Sequence, residues 1–200
     1  MLLSNSSARI DKWFPKSIYI HDNFAESEAD SMKIWLSEFF IFNGDFKRTE
    51  ELNVNTSHLV YDLSEQPELS VFRDLLKKEV LSFAKTLGYN FEDNDIVLQN
   101  MWSNLSVTGD YLFPHNHPSS FISGAYYVES TSLSDVIKFY DNPQCMIPPS
   151  HNPNEYSYEY VSYKCLEKRL ILFKSDFMHG CPALVGDRKI VVSFNYGIVR

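Results

Sequence analysis

"RKIVVSFNYGIV", residues 188–199, decides the class of fold. Ile190, Val191, Val192, Phe194 and Tyr196 are β-branched or aromatic, and no proline interrupts them, so the stretch reads as a buried strand. Five earlier segments have the same character: "DIVLQNMWSNLSV" (95–107), "FISGAYYVES" (121–130), "DVIKFYD" (135–141), "YSYEYVSY" (156–163) and "RLILFKS" (169–175). Pro, Asn, Gly and Asp separate them. Strands repeated at such short spacing point to an antiparallel sandwich or barrel.

Upstream the pattern changes. "WFPKSIYIHDNF" (13–24) reads as extended, because Pro15 disfavours a helix and Ile18 and Ile20 alternate with polar neighbours. From Ser27 to Phe40, Met32, Trp35, Leu36 and Phe39 recur at helical spacing. A second helix is expected in "PELSVFRDLLKKEVLSFAKTLGY" (67–89), where Leu69, Phe72, Leu75, Leu76, Val80, Phe83, Ala84 and Leu87 share one face. Pro67 sits near its start and Gly88 just past its end, where each is favoured. The expected architecture is α+β, mainly β: a double-stranded β-helix, or cupin-like jelly roll, with the N-terminal helices on one face. One domain is read over 1–200, with 1–94 as mostly helical support and 95–200 as the β core.

The 200 residues include 44% hydrophobic and 22% charged side chains, a globular balance. A formal charge of −8 argues against general nucleic-acid binding, which needs a surplus of Lys and Arg. "MLLSNSSARIDKWF" (1–14) does not read as a secretory leader, and no apolar run approaches the roughly 18 residues of a membrane span. Cys145, Cys165 and Cys181 are odd in number and lack C-x-x-C spacing, which fits reduced thiols. The N-x-[ST] triplets at Asn5, Asn55 and Asn104 carry no weight without a leader. These features together predict a cytoplasmic protein with no membrane association, and oligomeric state is not legible.

The chemistry centres on "FPHNHPSS", residues 113–120. Histidine is the commonest transition-metal ligand, and His115 and His117, at i and i+2, project from the same side of extended chain. A third ligand would have to come from elsewhere. His21 and His58 lie outside the expected β core, and His151 falls in a Pro/Asn-rich loop, "PPSHNPNEY" (148–156), whose composition also suits a lid. His179 is better placed, at the end of the apolar stretch "RLILFKSDFMHG" (169–180). Arg188 follows it by nine residues (188 − 179), opening the last strand.

"NMWSNLSVTGDYLFPHNHPSSFISGAYYVES" (100–130), followed by "LILFKSDFMHGCPALVGDRKIVVSFNYG" (170–197), resembles the Fe(II)- and 2-oxoglutarate-dependent oxygenases. It is most similar to bacterial and phage members with an H-x-H-P motif. The resemblance covers about residues 97–197, and the helical half loosely.

By that resemblance, His115 and His179 take the places of the superfamily's iron-binding histidines, and His117 stands where an aspartate is usual. The alternatives for the third ligand are Asp141 and Asp110. Arg188 matches the arginine that pairs with the distal carboxylate of 2-oxoglutarate; Tyr127, in preference to Tyr126, and Asn104 would assist. The implied reaction consumes O2 and 2-oxoglutarate, releases succinate and CO2, and hydroxylates a peptidyl residue or small molecule. Two other readings predict different behaviour. A cupin-like three-histidine metalloenzyme would not bind 2-oxoglutarate, and a non-catalytic β-sandwich binding module would hold no stoichiometric metal.

Overall fold

The computed structural model describes residues 15–43, 52–58, 60–141, 152, 154 and 157–199. A short strand β1 (Ile18–His21) leads into helix α1 (Glu26–Asn43). Two-residue strands β2 (Leu52–Asn53) and β3 (Asn55–Thr56) follow, and a 3-10 turn over Pro67–Leu69 opens helix α2 (Ser70–Thr86). Eight strands then complete the chain: β4 (Ile96–Val107), β5 (Tyr111–His115), β6 (Ile122–Ser130), β7 (Val136–Tyr140), β8 (Tyr160–Lys164), β9 (Leu170–Lys174), β10 (His179–Cys181) and β11 (Arg188–Ile198). Cys145 and all of the expected loop "PPSHNPNEY" (148–156), His151 included, except Asn152 and Asn154 lie outside the described residues.

Both helices form where the apolar spacing places them. α1 buries Ala29, Met32, Leu36, Phe39 and Phe40, and α2 buries Phe72, Leu76, Val80, Phe83 and Ala84. Gly88 ends α2 in the left-handed region, at φ 89°. The Gly88 amide donates to the Lys85 carbonyl and the Tyr89 amide to the Ala84 carbonyl, the paired C-terminal closure that a glycine permits.

The strands form two antiparallel sheets. The six-stranded sheet runs β1-β9-β6-β11-β4-β3 and the five-stranded sheet runs β2-β5-β10-β7-β8. β11 is the long central strand, paired with β4 on one side (Ile190 opposite Leu105) and β6 on the other (Val192 opposite Tyr126). Because a strand alternates faces with period two, β11 has two distinct surfaces. Ile190, Val192, Phe194 and Tyr196 join the core formed with both helices. Val191 faces the other way, into a smaller core shared with Tyr127, Ile171 and Phe173 of the same sheet and Ile137 and Phe139 of β7. Helices, six-stranded sheet and five-stranded sheet are therefore stacked as three layers.

The expected single stretch "RLILFKSDFMHG" is divided. β9 ends at Lys174, the chain turns with the Phe177 amide donating to the Lys174 carbonyl, and His179 begins β10 in the opposite sheet. His179 thus reaches the interior by a change of sheet. His21 also differs from expectation: it closes β1, an edge strand of the larger sheet. Among the described residues, no helix is long and apolar enough to cross a membrane.

Leu36 is fully buried between α1 and the sheet, whereas Ile34, two residues away, is 62% exposed. Leu36→Ala should cost about 2–5 kcal/mol in urea unfolding, and Ile34→Ala within about 0.5 kcal/mol. Equal losses would show that α1 does not dock by this face.

Candidate metal and cosubstrate site

Three histidines converge between the sheets. His115, the last residue of β5, pairs directly with His179, the first residue of β10. Gly180 makes that approach possible, since a Cβ there would sit 2.8 Å from the Leu112 carbonyl oxygen and 3.0 Å from the Pro114 nitrogen. His117 lies two residues beyond β5, and its amide donates to the Ser175 carbonyl at 2.9 Å. The ring centroids are 4.5 Å apart for His115 and His179, 5.1 Å for His117 and His179, and 5.2 Å for His115 and His117. One nitrogen from each ring falls within a group whose members all lie within 4.8 Å of one another. That spacing suits a single first-row metal ion bound by imidazole.

Local hydrogen bonds orient two of the rings. The Nδ1 atoms of His115 and His179 lie 2.8 and 2.9 Å from the carbonyls of Phe113 and Phe177, each two residues earlier. A proton on Nδ1 satisfies each carbonyl and leaves Nε2 as the ligand, the arrangement that fixes tautomer and ring plane in metal sites. Burial, with a smaller contribution from the neighbouring His115, takes the His179 ring down to about 3 and the His117 ring down to about 4. Both are neutral near pH 7, as ligation requires.

The histidines open onto a cavity of about 510 Å³. Its larger-sheet wall is the inward row of β11, Lys189, Val191 and Ser193, with Tyr127, Asn104 and Trp102 from the flanking strands. The Trp102 ring stands 4.6 Å from His58 and 5.7 Å from His117.

Residues 100–195 match the family described as "Putative 2OG-Fe(II) oxygenase". That segment, just under half of the chain, is similar to the Fe(II)/2-oxoglutarate oxygenases. No curated protein matches the sequence. Among solved structures, a prolyl-4-hydroxylase from Pseudomonas putida superposes with TM-score 0.63 at 10% identity, covering 92% of this chain and 94% of that one. HygX from Streptomyces hygroscopicus, with nickel and 2-oxoglutarate bound, gives 0.62 at 12% identity over 92% and 83%. The viral collagen prolyl hydroxylase from Paramecium Bursaria Chlorella virus-1, a 2-oxoglutarate complex, gives 0.60 at 12% over 91% and 96%. At such identities these likenesses establish the fold, the double-stranded β-helix.

Within this oxygenase fold the expected site residues divide. His115, His117, His179, Tyr127 and Asn104 all line the cavity. Tyr126 does not: it points to the helical side, and its hydroxyl donates to the Phe24 carbonyl. Among the described residues no carboxylate joins the three rings. Asp141 is exposed and pairs with Lys16 at 3.1 Å, and Asp110 accepts a hydrogen bond from the Val107 amide in the turn before β5.

Arg188 is the main correction. Its guanidinium points to the helical side, donating to the Ser37 hydroxyl of α1 at 3.0 Å and lying 3.4 Å from the Glu129 carboxylate. It is not part of the cavity wall. The next residue, Lys189, is. Lys189 is 4% exposed and lines the cavity. Burial works to lower its ammonium, but Cys181, Cys165, Asp135 and Asp110 outweigh it and hold the group above its ordinary value. It therefore stays charged. His58, set aside in the sequence, also lines the cavity, as do Thr56 and Ser193. Alternation was the available signal for Lys189: if Ile190, Val192 and Phe194 face the helices, then 189 and not 188 faces in.

The buried rings imply a pH dependence for the metal-free protein. An unfolded histidine titrates near 6.5, so between that value and the lowered folded values the unfolded chain binds more protons and stability rises with pH. Stability should be level above about pH 7 and fall steadily as pH drops through about 6.5. His179→Phe should flatten that decline in urea unfolding. An unchanged slope would mean that His179 is not held neutral by burial.

Proposed function

We propose that this protein is an Fe(II)- and 2-oxoglutarate-dependent oxygenase that holds iron on His115, His117 and His179 and the cosubstrate's distal carboxylate on Lys189. The observation that carries the reading is the shared cavity: three imidazoles at ligand spacing and one buried ammonium, Lys189. A ligand carboxylate entering the cavity would pair with that ammonium in a charge-assisted hydrogen bond.

His115, His117 and His179 would hold the iron through imidazole nitrogens. Iron loaded in this way supplies the oxidation that converts 2-oxoglutarate and O2 to succinate and CO2 and hydroxylates a second substrate. The chain's own contribution is placement. Lys189 anchors one end of the cosubstrate. Tyr127 is raised well above its ordinary value, first by burial, and presents a neutral phenol to the same space. Asn104 adds an amide beside it. Trp102 and His58 stand beside His117 and also line the cavity, so a substrate C–H bond brought to the metal would meet an aromatic surface. The solved relatives include prolyl hydroxylases and an enzyme that binds the small molecule hygromycin B. A peptidyl residue or a small molecule is accordingly the substrate class.

Anaerobic titration of 2-oxoglutarate into the Fe(II)-loaded protein should raise a weak visible charge-transfer band that saturates near one equivalent. Lys189→Ala should weaken that titration at least about tenfold, the worth of a hydrogen bond to a charged group. Arg188→Ala should leave it unchanged. The reverse pattern would return the anchoring role to Arg188. Iron binding with no band would instead favour a three-histidine enzyme that does not use 2-oxoglutarate.

A further inference from the structure

Two of the three proposed ligands are oriented by their own hydrogen bonds, and the third is not. His115 and His179 belong to paired strands and bond through Nδ1 to nearby carbonyls. The His117 ring makes no hydrogen bond with any described residue, and its aromatic neighbours are Trp102 and the other two histidine rings. It also lies beyond the end of β5. What holds it is its backbone, through the amide bond to the Ser175 carbonyl.

Ser175 is not an ordinary turn residue. It is 1% exposed, and its own amide donates to the Phe121 carbonyl. Its hydroxyl lies 2.8 Å from that of Ser123, also 1% exposed. The Ser123 hydroxyl donates to Asn195 Oδ1 at 2.6 Å, and Asn195 Nδ2 donates to Asn100 Oδ1 at 2.9 Å. Buried hydroxyls and amides cost free energy unless every partner is supplied, and apolar side chains would fill the same positions more cheaply. The chain of bonds runs across three adjacent strands, β4, β11 and β6, and ends on the one peptide that fixes His117.

We infer that the buried chain Ser175–Ser123–Asn195–Asn100 holds His117 in the ligand set, with Ser123 and Asn195 as positioning residues for it. The inference rests on the three-histidine reading of the site. It assigns a purpose to a polar row on the otherwise packed inner face of the large sheet: it replaces, through the backbone, the ring hydrogen bond that His117 lacks.

The test is Ser123→Ala, which deletes only the bridging hydroxyl. In the metal-free protein, amide exchange at His117 should accelerate about tenfold while amides of β11 such as Val192 keep their protection. Co(II) affinity, read from the visible spectrum of the Co(II)-loaded protein, should fall about tenfold, the usual effect of losing an outer support of a ligand. In a His117→Ala background the same change should cause no further loss, because the two act through one group. Ser123→Cys, which keeps a weak donor in a similar volume, should fall between. Val192→Ala, on the helical face of β11, should lower the melting temperature and leave Co(II) affinity alone, which separates positioning from general stability.

Unchanged His117 exchange in Ser123→Ala would overturn the inference, as would a Co(II) loss that persists in the His117→Ala background. Failure of the wild-type protein to bind Co(II) would overturn the metal reading itself. The exchange comparison would then still decide whether the clamp exists.

Discussion

The parity of β11 is the constraint on which the rest depends. One strand serves two environments: its even-numbered residues complete the helical core, and its odd-numbered residues form one wall of the cavity. A slip of one residue would place Lys189 and Asn195 against α1 and α2 and expose Ile190 and Val192 to the site, losing both the core and the chemistry. The register is locked because β11 is central, bonded along nearly its whole length to β4 and over much of it to β6. The helices add a further lock. Arg188, at the boundary, ties the strand to Ser37 of α1 and to Glu129 of β6, so the first even residue is pinned to the outside by hydrogen bond and charge.

Much of this was legible in the residues. Six long or aromatic-rich strands and both helices appear where periodicity and turn residues place them, because those elements bury enough apolar surface to mark themselves. β5 and β10 did not, although they carry the two paired histidines. Their residues are Tyr-Leu-Phe-Pro-His and His-Gly-Cys, with a proline or glycine in each. They are strands because of their partners, not their composition, so no local signal could find them. The division of "RLILFKSDFMHG" has the same origin: the apolar run continues, but the second half pairs with the opposite sheet.

The site shows the same split between pattern and context. The H-x-H pair and a distant histidine are sequence features, and the fold brings them together. The basic residue that reaches the cavity is one position from the expected one: Lys189 lines it and Arg188 does not. Arg188 and Lys189 are both basic and both open the strand, so residue chemistry could not choose between them. Only the side on which the strand's apolar residues pack could do so. Tyr127 faces the cavity and Tyr126 does not by the same rule, because Val191 and Tyr127 oppose each other in register and share the inward face. His58 was missed for a different reason. It arrives on the loop after a two-residue strand, and its place beside Trp102 depends on contacts far apart in the chain.

The electrostatic balance of the cavity follows from these placements. Three histidine ligands would add no negative charge to a divalent ion, whereas an aspartate at position 117 would. The larger-sheet wall holds a buried ammonium, Lys189, raised rather than lowered by the groups around it. On the proposed reading, a dication on the histidines and this ammonium would together favour a dianion with acidic groups at both ends over a monocarboxylate, which would leave one charge unmatched. 2-Oxoglutarate has that form. A cavity built this way gains its specificity from charge spacing before any substrate contact is considered. The missing carboxylate and the shifted lysine therefore act together as parts of one arrangement.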